Sequence, residues 1–172
     1  TGYIEALDID SIQKIEVLEG YTIPTLNEVL DLIKGRIFVN IELKGSQTAI
    51  KTNEILNNYL KNNLWSSDKF LISSFDWDEL KIFRKVNQKV PVAVITEDDP
   101  LDAIPVALEL NAVAINPDYK TLNSTNIKKI KEKKLKIYPW TVNEIDDINM
   151  MIDFQVDGII TDFPDRIPKP IN

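Results

Sequence analysis

Hydrophobic and polar positions follow two different periods along this chain, and these periods predict alternating helices and strands. Aliphatic residues recur at helical spacing from Leu26 to Ile33, directly after a capping-box pattern formed by Thr25 and Glu28. From residue 37 to residue 43 every odd position is aliphatic, whereas the polar residues that follow residue 39 stand at even positions. This second pattern is typical of a strand with one apolar face.

The same alternation continues to the C-terminal end of the sequence. Strands are predicted at residues 37–43, 70–74, 90–95, 112–115, 135–141 and 158–161. Between these strands, helices are predicted at residues 47–62, 76–86, 99–110, 125–134 and 143–154. Asp76, Asp99 and Asn143 are the predicted N-cap residues of three of these helices.

Six strands alternating with helices indicate βα units around a parallel sheet, which either lies open between helical layers or closes into a barrel. Polar residues stand where several strands end, among them Ser73, Asn116 and Thr161, and a barrel uses that face for its site. The 5 glycines form no Gly-rich nucleotide loop. The predicted fold is therefore α/β, an incomplete (β/α)₈ TIM barrel with about six of its eight units. One domain is expected over residues 1–172: an irregular lead-in at 1–22, βα units at 23–162 and a tail at 163–172.

Composition narrows the range of partners and reactions. The net charge of -7 argues against nucleic acid or an anionic membrane as partner, and the lysines between 128 and 134 are most simply a solvated helix face. No apolar run approaches the ~18 residues that a membrane span requires. With 0 cysteines and 0 histidines, the chain has no disulfide, thiolate nucleophile or imidazole acid or base. A serine nucleophile activated by histidine is excluded for the same reason.

Glu42 and Lys44 are the first candidates for chemistry, because their side chains point to the same face of one strand. A carboxylate and an ammonium at a barrel mouth suit a metal ion and an anionic group, and they also suit a purely structural ion pair. Lys44 could alternatively form a Schiff base with a carbonyl substrate.

Other strand ends supply weaker candidates. The sequence Ser73-Ser74-Phe75 could present hydroxyl groups to a phosphate. Trp140 could wall a pocket or belong to the core. Asp162 is interpreted as a residue that caps a loop or forms a salt bridge.

Taken together, these strand-end motifs resemble the glycerophosphodiester phosphodiesterase family, whose members are TIM barrels similar to phosphatidylinositol phospholipase C. The motifs that carry the resemblance lie at residues 23–30 (IPTLNEVL), 40–44 (NIELK), 74–76 (SFD), 138–143 (YPWTVN) and 157–164 (DGIITDFP). Their order and spacing match over essentially the whole chain.

The resemblance implies a hydrolase that cleaves glycerophosphodiesters, which are small phosphodiester substrates, to glycerol phosphate and an alcohol with the help of Mg²⁺ or Ca²⁺. It makes Glu42 a carboxylate ligand of that metal and Lys44 the lysine that meets the phosphate. Trp140 is the aromatic residue near the glycerol end, and Phe75 is a further substrate-binding residue.

The family's His-Arg, Glu-x-Asp and His-Asp motifs have no counterpart in these residues, and all of them precede the segment that Thr1-Gly2-Tyr3 resembles. We therefore expect a truncated member without its first two βα units, with no catalytic residue of its own and with weak or absent metal binding. The alternative is a degenerate barrel that acts as a binding module. Two open sheet edges would result, and we expect residues 1–22 or a second copy of the chain to cover them.

Overall fold

The computed structural model describes residues 3–18, 20–61 and 64–168. Its centre is a parallel sheet of five strands that lie side by side in chain order. These strands are β3 (Val39–Glu42), β4 (Phe70–Ser74), β5 (Val92–Thr96), β6 (Ala114–Pro117) and β7 (Lys136–Ile137). A sequential order without a reversal point is that of a barrel arc and differs from that of a doubly wound sheet, which confirms the predicted fold class.

The helices follow the strands as predicted, with shifts at their N-terminal ends. They are α2 (Leu26–Ile33), α3 (Thr48–Leu60), α4 (Trp77–Val86), α5 (Ala103–Glu109), α6 (Ser124–Glu132) and α7 (Ile145–Asp153). The caps at Thr25 and Asp76 are confirmed, since both side chains accept hydrogen bonds from amides of the first helical turn. Asp99 is not an N-cap: it accepts a hydrogen bond from the Leu101 amide in a turn that precedes α5. Residue 62, the predicted end of α3, lies outside the described residues.

The sixth predicted strand, at residues 158–161, is not a regular strand, but it still continues the sheet through single hydrogen bonds. The Asp157 amide donates to the Ile137 carbonyl oxygen at 3.0 Å, and the Ile160 amide donates to that of Pro139 at 2.9 Å. The Val142 amide returns a bond to the Ile160 carbonyl oxygen at 2.9 Å. Pro139 interrupts this pairing because proline lacks the amide that a continuous ladder requires.

The two faces of the sheet carry different residues. The large core lies between strands and helices and includes Ile72, Val94 and Ile115 of the strands. The opposite face forms a lumen, in which Leu71, Ala93 and Ala114 make a separate small cluster against Tyr138. Side chains therefore alternate along each strand between the helices and the lumen.

The segment before α2 is more regular than predicted, and its described residues add no strand to the parallel sheet. It contains α1 (Ile9–Ile12) and an antiparallel hairpin of β1 (Glu16–Val17) and β2 (Tyr21–Thr22). None of its described residues is buried, and none lines the lumen. A segment folded into its own turns and hairpin cannot extend the parallel sheet along β3. Residues 1, 2 and 19, and residues 169–172 of the predicted tail, lie outside the described part of the chain. Covering of the edge by residues 1–22 or by a second copy of the chain stays a prediction.

A buried carboxylate links two helices below the C-terminal end of β3. Glu79 of α4 is 5% exposed, and its oxygens accept hydrogen bonds from the amides of Gln47 at 2.6 Å and Ala49 at 2.9 Å. These amides belong to the start of α3, which lacks a capping side chain of its own. Glu79 thereby anchors the loop that follows β3 and satisfies amide groups that the helix leaves free.

We predict that Glu79→Leu lowers the free energy of unfolding by about 1–3 kcal/mol, because two amides at the start of α3 lose their acceptor. Glu79→Gln retains one acceptor oxygen and should cost less. Glu54→Leu is the matched control, because Glu54 is an exposed residue of α3, and this change should stay within about 0.5 kcal/mol. Urea denaturation measures all three variants, and equal stability of the two leucine variants would contradict this role of Glu79.

Candidate active site

An open cavity of about 260 Å³ lies at the carboxyl ends of the strands. Its lining includes all four residues that the sequence singled out for metal or substrate binding, which are Glu42, Lys44, Phe75 and Trp140. They come from the end of β3 and the loop after it, from the turn after β4 and from the segment after β7. The cavity is slightly smaller than the ~300–1,000 Å³ typical of pockets for drug-sized ligands, so it suits a small molecule.

Glu42 and Lys44 form a loose ion pair at the mouth of this cavity. The Lys44 Nζ lies 3.7 Å from the Glu42 Oε2, and the lysine side chain is 77% exposed. The Glu42 Oε1 is buried and has no hydrogen-bond partner among the described residues. One charged atom of each side chain can therefore still engage a ligand, and the ion pair itself contributes little stability at this exposure.

Phe75 and Trp140 form an aromatic wall on the cavity. Their rings meet edge to face, with centroids 5.2 Å apart and an interplanar angle of 83°. The Trp140 Nε1 donates a 2.8 Å hydrogen bond to the Asn116 carbonyl oxygen, which fixes the indole ring. Phe75 remains 45% exposed. Trp140 thus belongs to the cavity wall and not to the interior of the core.

The two serines next to this wall do not line the cavity and their hydroxyls are already hydrogen-bonded, so the expectation that they bind phosphate is wrong. Ser73 and Ser74 are both fully buried. The Ser73 hydroxyl donates to the Asn40 Oδ1 at 2.9 Å, and the Ser74 hydroxyl donates to the Leu43 carbonyl oxygen at 2.6 Å. Their hydroxyls cross-link β4 to β3 instead.

Asn143 braces the loop behind Trp140, and its predicted role as an N-cap is wrong because Glu144 precedes α7 directly. The Asn143 Nδ2 donates to the Asp162 carboxylate at 2.9 Å, and its Oδ1 accepts from the Asp162 amide at 3.0 Å. Asp162 therefore holds a loop, as interpreted from the sequence.

Tyr119 holds the main chain of Trp140, since the Tyr119 amide donates to the Trp140 carbonyl oxygen at 3.2 Å. A hydrogen bond to the Asp147 carboxylate raises the pKa of the Tyr119 hydroxyl.

The sequence places Asn116 among the polar residues at strand ends but assigns it no role of its own. Its side chain is fully buried, yet neither the Oδ1 nor the Nδ2 has a hydrogen-bond partner among the described residues. It lines the mouth cavity and also a second cavity of about 530 Å³ further into the lumen. The only sequence signal was a single amide at the end of the otherwise apolar run at residues 112–115.

The described residues do not build a complete divalent metal site. They contain no group of three or more carboxylate, histidine or cysteine side chains close enough to share an ion. Glu42 offers one free oxygen, whereas Mg²⁺ and Ca²⁺ bind about six to eight oxygens. The Lys44 ammonium beside it also repels a cation.

The fold and cavity define an α/β-barrel protein with a small, partly charged cavity at the carboxyl ends of its strands. The sequence model of the glycerophosphoryl diester phosphodiesterase family matches residues 3–166, and the chain belongs to this family. This match confirms the resemblance that the motifs indicated. The members of the family are phosphoric diester hydrolases.

Individual relatives agree with this assignment. A glycerophosphodiester phosphodiesterase from Caldanaerobacter subterraneus subsp. tengcongensis is 29% identical over 175 residues, which cover 96% of this chain and 72% of the relative. A crystal structure from Galdieria sulphuraria matches with a TM-score of 0.84 at 20% identity, over 97% of this chain and 71% of that one. An Oleispira antarctica phosphodiesterase solved with the product sn-glycerol-3-phosphate matches with a TM-score of 0.81 at 20% identity, over 96% and 71%. At this identity the two structures establish the shared barrel fold.

None of the described helices combines the length and the apolar character that crossing a bilayer requires.

Proposed function

We propose that the mouth cavity is the substrate site of a glycerophosphodiester phosphodiesterase and binds the phosphate and the glycerol end of a glycerophosphodiester. One observation carries the proposal: Glu42, Lys44, Phe75 and Trp140 share a single small cavity at the carboxyl ends of the strands. Barrel enzymes place their active sites at this face. The named activity of the relative from Caldanaerobacter and the product bound to the Oleispira phosphodiesterase support this choice of substrate.

Lys44 is the phosphate-binding residue in this proposal. Its ammonium is held 3.7 Å from the Glu42 carboxylate, too far for a hydrogen bond, so no described residue occupies its three N–H groups and they can donate to a phosphate oxygen. Phe75 and Trp140 face the same cavity and offer apolar surface to the carbon atoms of glycerol. A polar end and an apolar end within one cavity fit a glycerol phosphate group.

Hydrolysis requires more than binding. A water molecule must lose a proton as it attacks phosphorus, and the leaving oxygen must gain one. The 172 residues contain 0 histidines, so no imidazole of this chain can carry either proton. The titratable side chains that line the cavity are Glu42 and Lys44. We propose that this chain binds the substrate and hydrolyses it slowly. The absence of histidine also favours the second candidate function, a barrel that binds glycerophosphodiesters without catalysis.

Glu42 is the proposed metal ligand, because its buried Oε1 has no other partner among the described residues. This single oxygen leaves the remaining ligand positions unfilled, so no reaction step of this chain is assigned to a metal ion.

We predict that Lys44→Gln weakens the binding of sn-glycerol 3-phosphate about fivefold, or ~1 kcal/mol, since a largely exposed charge contributes modestly. The affinity is read from the indole ¹⁵N–¹H signal of Trp140, assigned by its loss in Trp140→Phe. Lys51→Gln is the matched control, because Lys51 also pairs with a glutamate but lies on the outer helix α3. Equal affinities of the two variants would contradict the role of Lys44.

We predict that the chain hydrolyses glycerophosphocholine ~10²–10⁴-fold more slowly than a family member that carries both histidines, since general acid–base assistance contributes that factor. Release of glycerol phosphate over time measures the rate. Turnover comparable to that of the histidine-containing enzyme would show that other groups of this chain supply the proton transfers.

Calorimetric titration with Ca²⁺ or Mg²⁺ is predicted to give no stoichiometric binding tighter than about 10⁻³ M, because Glu42 supplies one ligand where several are needed. Glu42→Gln should leave the titration curve unchanged. A tight site that disappears in Glu42→Gln would instead establish that this chain assembles a metal centre.

A further inference from the structure

The buried amide of Asn116 is an anomaly in this structure. Two other buried asparagines have their polar atoms paired: the Asn126 Nδ2 donates to the Thr121 carbonyl oxygen at 2.8 Å, and the Asn87 Nδ2 donates to the Asn53 Oδ1 at 2.9 Å. Both side-chain atoms of Asn116 lack a partner among the described residues, although the residue has no exposed surface. A buried polar group without a partner is costly, so its presence calls for an explanation.

The fold holds this amide firmly at the floor of the mouth cavity. Asn116 stands opposite Ile95 of β5 in the ladder, in a strand whose residues are all buried. The main-chain carbonyl oxygen of Asn116 accepts the hydrogen bond of the Trp140 indole, so the side-chain amide and the aromatic wall are held by the same strand. The cavity that Asn116 lines is the one that contains Lys44 and Phe75.

The chemistry of the amide indicates what it can bind. Asn116 offers one acceptor, the Oδ1, and one donor group, the Nδ2, side by side. A metal ion would use only the acceptor, and a phosphate dianion would use only the donor. A hydroxyl group donates and accepts at the same time, so one or two neighbouring hydroxyls satisfy both atoms of the amide.

We propose that Asn116 binds the free hydroxyl groups of the glycerol end and thereby selects a polyol over an unhydroxylated alkyl group. This inference rests on the proposed function and adds its specificity-determining residue. With Lys44 on the phosphate and Phe75 and Trp140 on the carbon chain, Asn116 completes the recognition of each chemical part of a glycerol phosphate group. It is a substrate-binding residue and takes no part in proton transfer.

The test compares two ligands that differ only in these hydroxyls, sn-glycerol 3-phosphate and n-propyl phosphate. In the unmodified 172-residue protein, we expect glycerol phosphate to bind about 5- to 100-fold more tightly, because propyl phosphate leaves the amide unpaired. In Asn116→Leu this preference should vanish, while the affinity for propyl phosphate stays the same or rises. The Trp140 indole signal reports both affinities.

Asn126→Leu is the matched control. It also removes a buried amide, but one that is hydrogen-bonded and does not line the mouth cavity, so it should lower the melting temperature and leave the ligand preference intact. Asn116→Leu should keep or raise the melting temperature, because it removes an unpaired buried group. If leucine does not fit at this position, the ligand preference is measured in Asn116→Ala, which removes the amide without adding bulk.

The outcomes separate this inference from the proposed function. A preference for glycerol phosphate that persists in Asn116→Leu and Asn116→Ala would overturn the role of Asn116 and leave the proposed function standing. Equal binding of both ligands by the unmodified protein would do the same. If neither ligand perturbs the Trp140 signal, the proposed function fails and the inference fails with it.

Discussion

The alternation of side chains along parallel strands is the constraint on which the rest of this structure depends. In β4, Ile72 points to the helices, whereas its neighbours Leu71 and Ser73 point to the lumen. A shift of one residue in any strand would exchange its two faces. It would place apolar side chains at the cavity and polar ones against the helices. The large core between sheet and helices therefore fixes, at the same time, which residues can contact a ligand.

The positions of the site residues then depend on contacts outside the cavity. Lys44 lies in the loop between β3 and α3, and the start of α3 is held by the buried carboxylate of Glu79 from the next helix. Trp140 is oriented by the backbone of β6 and by the loop that Asn143 ties to Asp162. Neighbouring βα units thus brace each other's loops, and rigid support of this kind is what a binding site requires.

The cavity is better equipped for binding than for acid–base catalysis. The proposed ligand groups are an ammonium that is ion-paired but makes no hydrogen bond among the described residues, an aromatic wall and an unpaired amide. The same cavity presents one carboxylate with a free oxygen and no imidazole. Binding of a phosphodiester and proton transfer to its leaving group require different chemical groups, so a cavity can hold the first kind without the second.

The sequence by itself determined the alternating elements, the barrel class, the caps at Thr25 and Asp76, and the common face of Glu42 and Lys44. All of these depend on residue type and on spacing within one element, which a linear pattern records. Only the tertiary structure decided that Asn143 braces a loop, that Ser73 and Ser74 bond to β3, and that the segment before α2 contains a hairpin separate from the parallel sheet. It alone also singled out Asn116, because whether a buried amide has a partner depends on residues that are distant in the chain and adjacent only in the folded lumen.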